Sequence, residues 1–273
     1  MLLGIDLGGT TLNFGLVDGS SIKSTTSVPS FDGGASLEQT LDYLADRIAE
    51  VMTPDVQRIG IGVPTLVDPA KGIVYNAANI PSWKRVELKD FLEGRFGIPV
   101  SVNNDANCFA LGAAVAAEAT HDVMVGITLG TGLGIGIVVD GKLFCGANCG
   151  AGELCSIPYE GDEFESFCSK KFFESRGWGS RQAVADAEAG NPEAIRFFEE
   201  FGRHLGNLLA LVMYAYDPSC IVFGGGVSNC APWFMESAKR TLAQKFIYPH
   251  VLERLRILVM PQNEIALLGA SLL

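Results

Sequence analysis

Two segments set 122 residues apart repeat one another. Leu3 to Gly19 reads LGIDLGGTTLNFGLVDG, and Val125 to Gly141 reads VGITLGTGLGIGIVVDG. Both have 17 residues, and seven positions coincide without a gap: Gly4, Ile5, Leu7, Gly8, Val17, Asp18 and Gly19 match Gly126, Ile127, Leu129, Gly130, Val139, Asp140 and Gly141. Each copy is an apolar run, a Gly-rich turn, a second apolar run and an Asp-Gly pair. Asp-Gly between strand-like runs is a strong hairpin signal. Each copy therefore predicts an antiparallel meander. Two copies so far apart do not make a solenoid. They predict an α/β chain of two domains with like topology, divided within or just after an alanine-rich helix at Ala106–Ala119. The expected limits are 1–115 and 116–262, with the helix from Asn263 packing back on the first.

The remaining pattern fills in the halves. Ser36 and Gln39 form a capping box ahead of Leu37, Leu41, Leu44, Ile48 and Val51, which recur at helical spacing. Strands are expected at Arg58–Val63, Ile98–Val102, Cys220–Phe223 and Leu255–Val259. Helices are expected at Val86–Phe96, Phe164–Glu174, Ser180–Ala189 and from Pro192 towards Tyr216. Pro192 suits a first helical turn, and Asp217-Pro218 ends the helix.

Composition narrows the function classes. The chain carries 31 acids against 20 Lys plus Arg, a net charge of −11. A surface this acidic is repelled by phosphate backbones, so no nucleic-acid partner is expected. No apolar run is long enough to span a bilayer, and Asp6 comes too early for a signal peptide. The seven cysteines are odd in number and form no C-x-x-C. They read as mostly buried thiols in a cytoplasmic protein without a membrane partner.

Several polar segments carry chemistry. Gly8, Gly9, Thr10 and Thr11 lie between strands, unlike a dinucleotide fingerprint, which opens a helix. Such a turn can still present N–H groups and hydroxyls to phosphate. The second copy offers Gly130, Thr131, Gly132 and Gly134, and two facing turns would grip one polyphosphate from both sides. Asp6, beside the first turn, could orient a hydrated Mg²⁺. Gly224, Gly225 and Gly226 follow a buried strand and either admit a flat ring or make a tight turn. Asn104 and Asp105 end a strand and open a helix. They are natural N-caps, and Asp105 is also placed to accept a proton from an attacking hydroxyl. The polar loop Asn76–Trp83 could hydrogen-bond and stack on a sugar, or could simply be a surface loop that anchors Trp83 in the core.

In their order along the chain, these segments resemble the ROK family of sugar kinases, within the actin-like ATPase (ribonuclease H-like) superfamily. Gly4–Thr11 is similar to the family's first phosphate motif, and Leu129–Gly134 to the second. Gly60–Pro64 with Asp68 is similar to its G-x-P loop, Asn79–Trp83 to its sugar-contacting loop, Asn104–Asn107 to its catalytic motif, and Phe223–Val227 to its adenosine motif. The resemblance implies an actin-like fold and ATP- and Mg²⁺-dependent phosphorylation of a hexose, commonly at the 6-hydroxyl with glucose as the default. It implies Asp105 as general base, with Asn79, Asn104, Asp105, Glu153 and Glu165 holding the sugar. It also implies a homodimer, the common state of relatives.

The departures are local. Family members carry Gly-His two residues after the sugar-binding Glu, then a cysteine-rich zinc loop. Here Ser156 stands where that His is expected, which makes it a sugar-site residue of changed reach. Tyr159–Glu165 replaces the loop by a short acidic bridge. No structural zinc is expected, because the spacing of Cys145, Cys149, Cys155 and Cys168 fits no common zinc pattern. Lys170 and Lys171 read as a solvated helix face. A catalytically weak sugar sensor is the competing function. The family's repressors carry an N-terminal DNA-binding domain, which is not expected when the phosphate motif begins at residue 4.

Overall fold

A computed structural model describes residues 1–77 and 79–273. Ala78, in the loop between Asn76 and Trp83, lies outside the described residues. The chain opens with the predicted meander: β1 (Leu2–Leu7), β2 (Thr11–Asp18) and β3 (Ser21–Pro29). Helix α1 (Leu37–Val51) begins at a complete capping box between Ser36 and Gln39. Strand β4 (Ile59–Val63) follows, then a small sheet of β5 (Val67–Asp68), β6 (Ile73–Tyr75) and β7 (Arg85–Glu87). These three strands are too short for a periodic signal and went unpredicted. Helix α2 (Leu88–Phe96) and strand β8 (Val100–Asn104) lead into helix α3 (Asp105–Ala116).

The second meander is β9 (Val123–Leu129), β10 (Leu133–Val139) and β11 (Lys142–Leu143). A hairpin of β12 (Pro158–Tyr159) and β13 (Asp162–Glu163) precedes helices α4 (Phe164–Cys168) and α5 (Lys170–Ser175). Helices α6 (Ser180–Glu188) and α7 (Pro192–Tyr216), strand β14 (Cys220–Gly224), helices α8 (Ala231–Lys245) and α9 (Pro249–Leu252), strand β15 (Arg256–Val259) and helix α10 (Gln262–Ser271) complete the order. The single helix expected at Phe164–Glu174 is two, because buried Ser169 leaves helical geometry and caps α5 by accepting from Lys171 N–H at 3.1 Å.

Two five-stranded sheets have the same plan. Their orders are β3-β2-β1-β4-β8 and β11-β10-β9-β14-β15, each with an antiparallel meander followed by two parallel strands. The repeat is not gapless in space. Leu7 pairs with Leu12, whereas Leu129 pairs with Leu133, so the second Gly-rich turn is one residue shorter. The later hairpins shift to match: Gly19 and Ser20 make the first turn, while Asp140 and Gly141 make the second with φ of 49° and 72°.

Helix α3 runs between the sheets and is buried over most of its length, from Ala106 to Ala114. It is alanine-rich because both sides approach closely. Helix α10 lies on β1, β4 and α3 with backbone against backbone. A side chain at Gly4 would strike the Leu267 carbonyl, and one at Gly60 the Ala270 carbonyl. One apolar core surrounds the first sheet and α1, with Trp83 fully buried. Another lies between the second sheet and α7 and α8, dominated by Phe172, Phe173, Phe198, Phe201, Phe223 and Phe234.

Candidate active site

Between the sheets lies a cleft of about 1710 Å³. That exceeds the roughly 300–1,000 Å³ of an ordinary small-ligand pocket. It has room for two substrates side by side. Both Gly-rich turns open onto it, through Gly8, Gly9 and Thr10 on one wall and Gly130, Thr131, Gly132 and Gly134 on the other. Thr11 belongs to β2, and its carbonyl closes the first turn by accepting from Gly8 N–H at 2.9 Å.

Asp105 stands at the first position of α3 and reaches the cleft. Parallel pairing of β4 and β8 puts it there, since Val63 and Asn104 end the two strands side by side. Its carboxylate accepts from Ala106 N–H at 2.8 Å. Burial first, and then the nearby Asp6 carboxylate, raise its pKa from 3.8 to about 7. The Ala106 hydrogen bond acts in the opposite direction and is outweighed. A carboxyl that titrates near neutrality can exchange a proton with a substrate hydroxyl.

Asp6 is the penultimate residue of β1, beneath the first turn. Burial holds its pKa above the usual range, opposed by a hydrogen bond from Asn13 Nδ2 at 3.3 Å. Asn13 is oriented in turn by Ser27 Oγ, which donates to its Oδ1 at 2.8 Å. A half-buried carboxylate with one long hydrogen bond and a second carboxylate nearby fits a hydrated divalent cation. Among the described residues, no group of three or more His, Cys, Asp or Glu is placed to hold a metal ion by itself.

The other predicted residues sort by what their side chains already do. Asn79 lines the cleft over Gly9; its Nδ2 is 2.8 Å from where a Cβ on Gly9 would lie. In the same loop Trp83 is a core anchor, donating from Nε1 to buried Thr40 Oγ1 at 2.7 Å. Asn104 is chiefly an N-cap: its Oδ1 accepts from Ala106 and Asn107 N–H, and its Nδ2 donates to the Thr65 carbonyl at 3.2 Å. Glu153 and Ser156 line the cleft on a 3₁₀ turn, Glu153–Ser156, with the Cys155 thiol between them donating to Glu153 Oε2 at 3.5 Å.

Three sets of residues have partners that the sequence does not disclose. Glu165 lines the cleft, but its carboxylate is engaged by the second turn: it accepts from Leu133 N–H at 3.1 Å and is ion-paired with Lys171. Gly224 and Gly225 make no part of the cleft wall. A Cβ on Gly224 would sit 2.5 Å from the Phe109 ring, and Gly225, at φ 90°, lies against the Leu129 carbonyl. Their smallness serves packing, and Gly226 alone of the three faces the cleft. Lys170 and Lys171 are not a plain solvated face, since both line the cleft rim.

Sequence reasoning missed Arg181, Val184, Asn229 and Gln262, which also line the cleft. None sits in a motif; they converge only in the folded chain. It also missed what packs in place of the cysteine-rich loop. The β12–β13 hairpin turns through Glu160 and Gly161, at φ 47° and 88°. Tyr159 stacks on Phe164 with centroids 4.2 Å apart, and its hydroxyl lies 3.1 Å from His204 Nδ1. Arg203 Nη2 is 3.0 Å from His204 Nε2. A guanidinium only donates, so Nε2 accepts and the ring proton sits on Nδ1. Burial first, then the Arg203 charge, lowers the His204 pKa to about 4 and keeps the ring neutral.

A profile of the ROK family matches residues 2–273, almost the full chain. The chain belongs to the ROK family. The glucokinase of Thermotoga maritima is 29% identical, with 99% of this chain and 96% of that protein covered. The N-acetyl-D-glucosamine kinase of Aliivibrio salmonicida is 31% identical, covering 88% and 89%. The crystal structure of a ROK family glucokinase from Streptomyces griseus, in complex with glucose and AMPPNP, superposes with a TM-score of 0.79 at 29% identity over 99% and 97% of the two chains. The two-domain α/β fold of this ROK protein is thus the actin-like fold of ROK sugar kinases. No helix among the described residues is long and apolar enough to cross a membrane.

Proposed function

We propose that this chain is an ATP-dependent sugar kinase that transfers the γ-phosphoryl group to a hexose hydroxyl, the 6-OH of a glucose-like sugar. The observation that carries this reading is the position of Asp105. A carboxyl with a pKa of about 7 stands in a cleft flanked by two Gly-rich turns. Asp105 is the general base; it takes the hydroxyl proton as the oxygen attacks phosphorus. Asn79, Asn104, Glu153 and Ser156 orient the sugar. Gly8, Gly9, Thr10, Gly130, Thr131, Gly132, Gly134 and Gly226 leave backbone room for the nucleotide, with residues 1–115 and 116–262 forming the two walls. Asp6 would hold Mg²⁺ through water, and the ion would offset charge on the phosphates. The net −11 makes local donors necessary, because the surface as a whole does not attract a polyanion.

The decisive experiment measures ADP release with ATP and a panel of glucose, N-acetylglucosamine, mannose, fructose and allose, with Asp105→Asn alongside. Sugar-stimulated turnover that falls about 10²–10⁴-fold in the variant supports the reading. No stimulation by any sugar, or an unaffected variant, refutes it. Ser156 in the family's His position favours one alternative, a sensor that binds sugar without useful catalysis. Calorimetric binding with no phosphorylated product would establish that instead.

A further inference from the structure

We infer that Cys145 and Cys149 form an oxidisable dithiol, a modification site that a hydroperoxide converts to an internal disulfide beside Glu153. Four observations support it. The two thiols stand four residues apart at either side of one turn, and each perturbs the other's ionisation. Both are partly exposed, whereas Cys108, Cys168, Cys220 and Cys230 are buried. The intervening backbone is already folded back on itself: Ala151 N–H donates to the Cys145 carbonyl at 3.1 Å, and Gly146 and Cys149 both have positive φ, 70° and 58°. Finally, the Cys145 sulfur accepts from Asn107 Nδ2 at 3.8 Å, on the first turns of α3.

The pair is chemically unequal. The neighbouring Cys149 thiol and then the Asn103 amide lower the Cys145 pKa to about 6, against the opposing effect of burial. The Cys145 thiol in turn raises that of Cys149, as do burial and the charges of Glu153 and Asp68. Cys145 is therefore the nucleophile and Cys149 the resolving thiol. The Cys145 thiolate attacks one peroxide oxygen and the O–O bond breaks. The departing oxygen takes a proton from solvent and leaves as water or an alcohol, and Cys145 becomes a sulfenic acid. The Cys149 sulfur then attacks the sulfenic sulfur, the S–O bond breaks, and the thiol proton leaves with the hydroxyl as water. Two thiols are oxidised by two electrons and one hydroperoxide is reduced.

The disulfide acts on the proposed sugar site. The loop 145–152 runs directly into Glu153, and Gly152 is pinned because any side chain there would strike the Ile135 carbonyl. Tightening the loop strains the position of Glu153. It also turns the sulfur that accepts from Asn107, two residues from Asp105, into a weaker acceptor. This consequence rests on the kinase reading; the modification itself does not.

The full-length reduced protein is treated with hydrogen peroxide, free thiols are alkylated, and the sample is reduced and labelled with a second reagent. The expected result is a loss of about 2 Da in intact mass, reversed by dithiothreitol, with the second label on Cys145 and Cys149 by fragmentation. Cys145→Ser abolishes the mass loss. Cys149→Gly, which also suits the positive φ, leaves a trappable sulfenic acid on Cys145. The inference is overturned if no mass is lost, if the label falls on Cys155 or a buried cysteine, or if Cys145→Ser oxidises like the parent chain. These readouts need no kinase activity. In the same samples the sugar KM rises severalfold on oxidation and recovers on reduction; a disulfide with unchanged KM overturns the coupling to the sugar site.

Discussion

Asp105→Asn should stabilise the protein at alkaline pH while abolishing its proposed chemistry. In the folded chain the Asp105 pKa is raised from 3.8 to about 7. Below the lower value the group is protonated in both folded and unfolded chains and has no differential effect. Between the two values the folded chain keeps a proton that the unfolded chain has lost. Stability therefore falls as pH rises through this window, then levels off above the folded pKa. The gap corresponds to an upper figure of about 4 kcal/mol. Asparagine retains the carbonyl oxygen that accepts from Ala106 N–H and carries no charge. The variant should gain a few kcal/mol over the parent at about pH 8 and little at about pH 4. For a chain of this size each kcal/mol moves Tm by about 2–4 °C. Calorimetric scans of both proteins without ligands, from acid to alkaline pH, read the difference directly. A Tm gap independent of pH, or a parent more stable than the variant at pH 8, would refute the buried-carboxylate argument. The same ionisation predicts that kcat/KM falls as pH drops below about 7, because the base is then protonated.

Other substitutions separate packing from ligand roles. Glu165→Gln breaks the Lys171 pair while keeping an acceptor for Leu133 N–H, so the KM for ATP should rise severalfold with little change for sugar; the opposite pattern would return Glu165 to the sugar. Gly224→Ala should cost about 1–3 kcal/mol by forcing Phe109 aside, measured by denaturant unfolding. Thr40→Val leaves the buried Trp83 indole N–H without an acceptor and should cost about 1–3 kcal/mol in the same assay. Removing divalent cations with EDTA should abolish sugar-stimulated turnover and leave the Tm of the nucleotide-free protein nearly unchanged, since the ion would arrive with ATP.

What could be read from the residues was periodic or punctuated. Leu37 to Val51 repeats at helical spacing behind a capping box, and the Asp-Gly pairs mark hairpins whatever surrounds them. The unseen parts depend on contacts between distant segments. Seven matching residues hid a one-residue offset, because Val, Asp and Gly recur near both hairpins while Leu12 and Leu133 set the pairing. Gly224 looked like ligand-facing glycine because the sequence does not disclose Phe109. Nothing near Glu165 in sequence shows the Leu133 N–H that it accepts from. Asp105 is the instructive middle case: its N-terminal helical position was readable from sequence, but its titration near neutrality comes from burial and from Asp6, a hundred residues away.

The seat of α10 bears on how the chain comes to be folded. Residues 2–104 supply the whole first sheet, yet Gly4 and Gly60 are shaped to receive Leu267 and Ala270. On a ribosome the meander and its parallel strands emerge long before their covering helix. One apolar face of the first sheet must wait, exposed, through synthesis of the entire second half. Folding of this part is therefore governed by contacts of very large sequence separation, which form slowly. Unfolding should release α10 early, and the exposed sheet face would then be the principal site of aggregation.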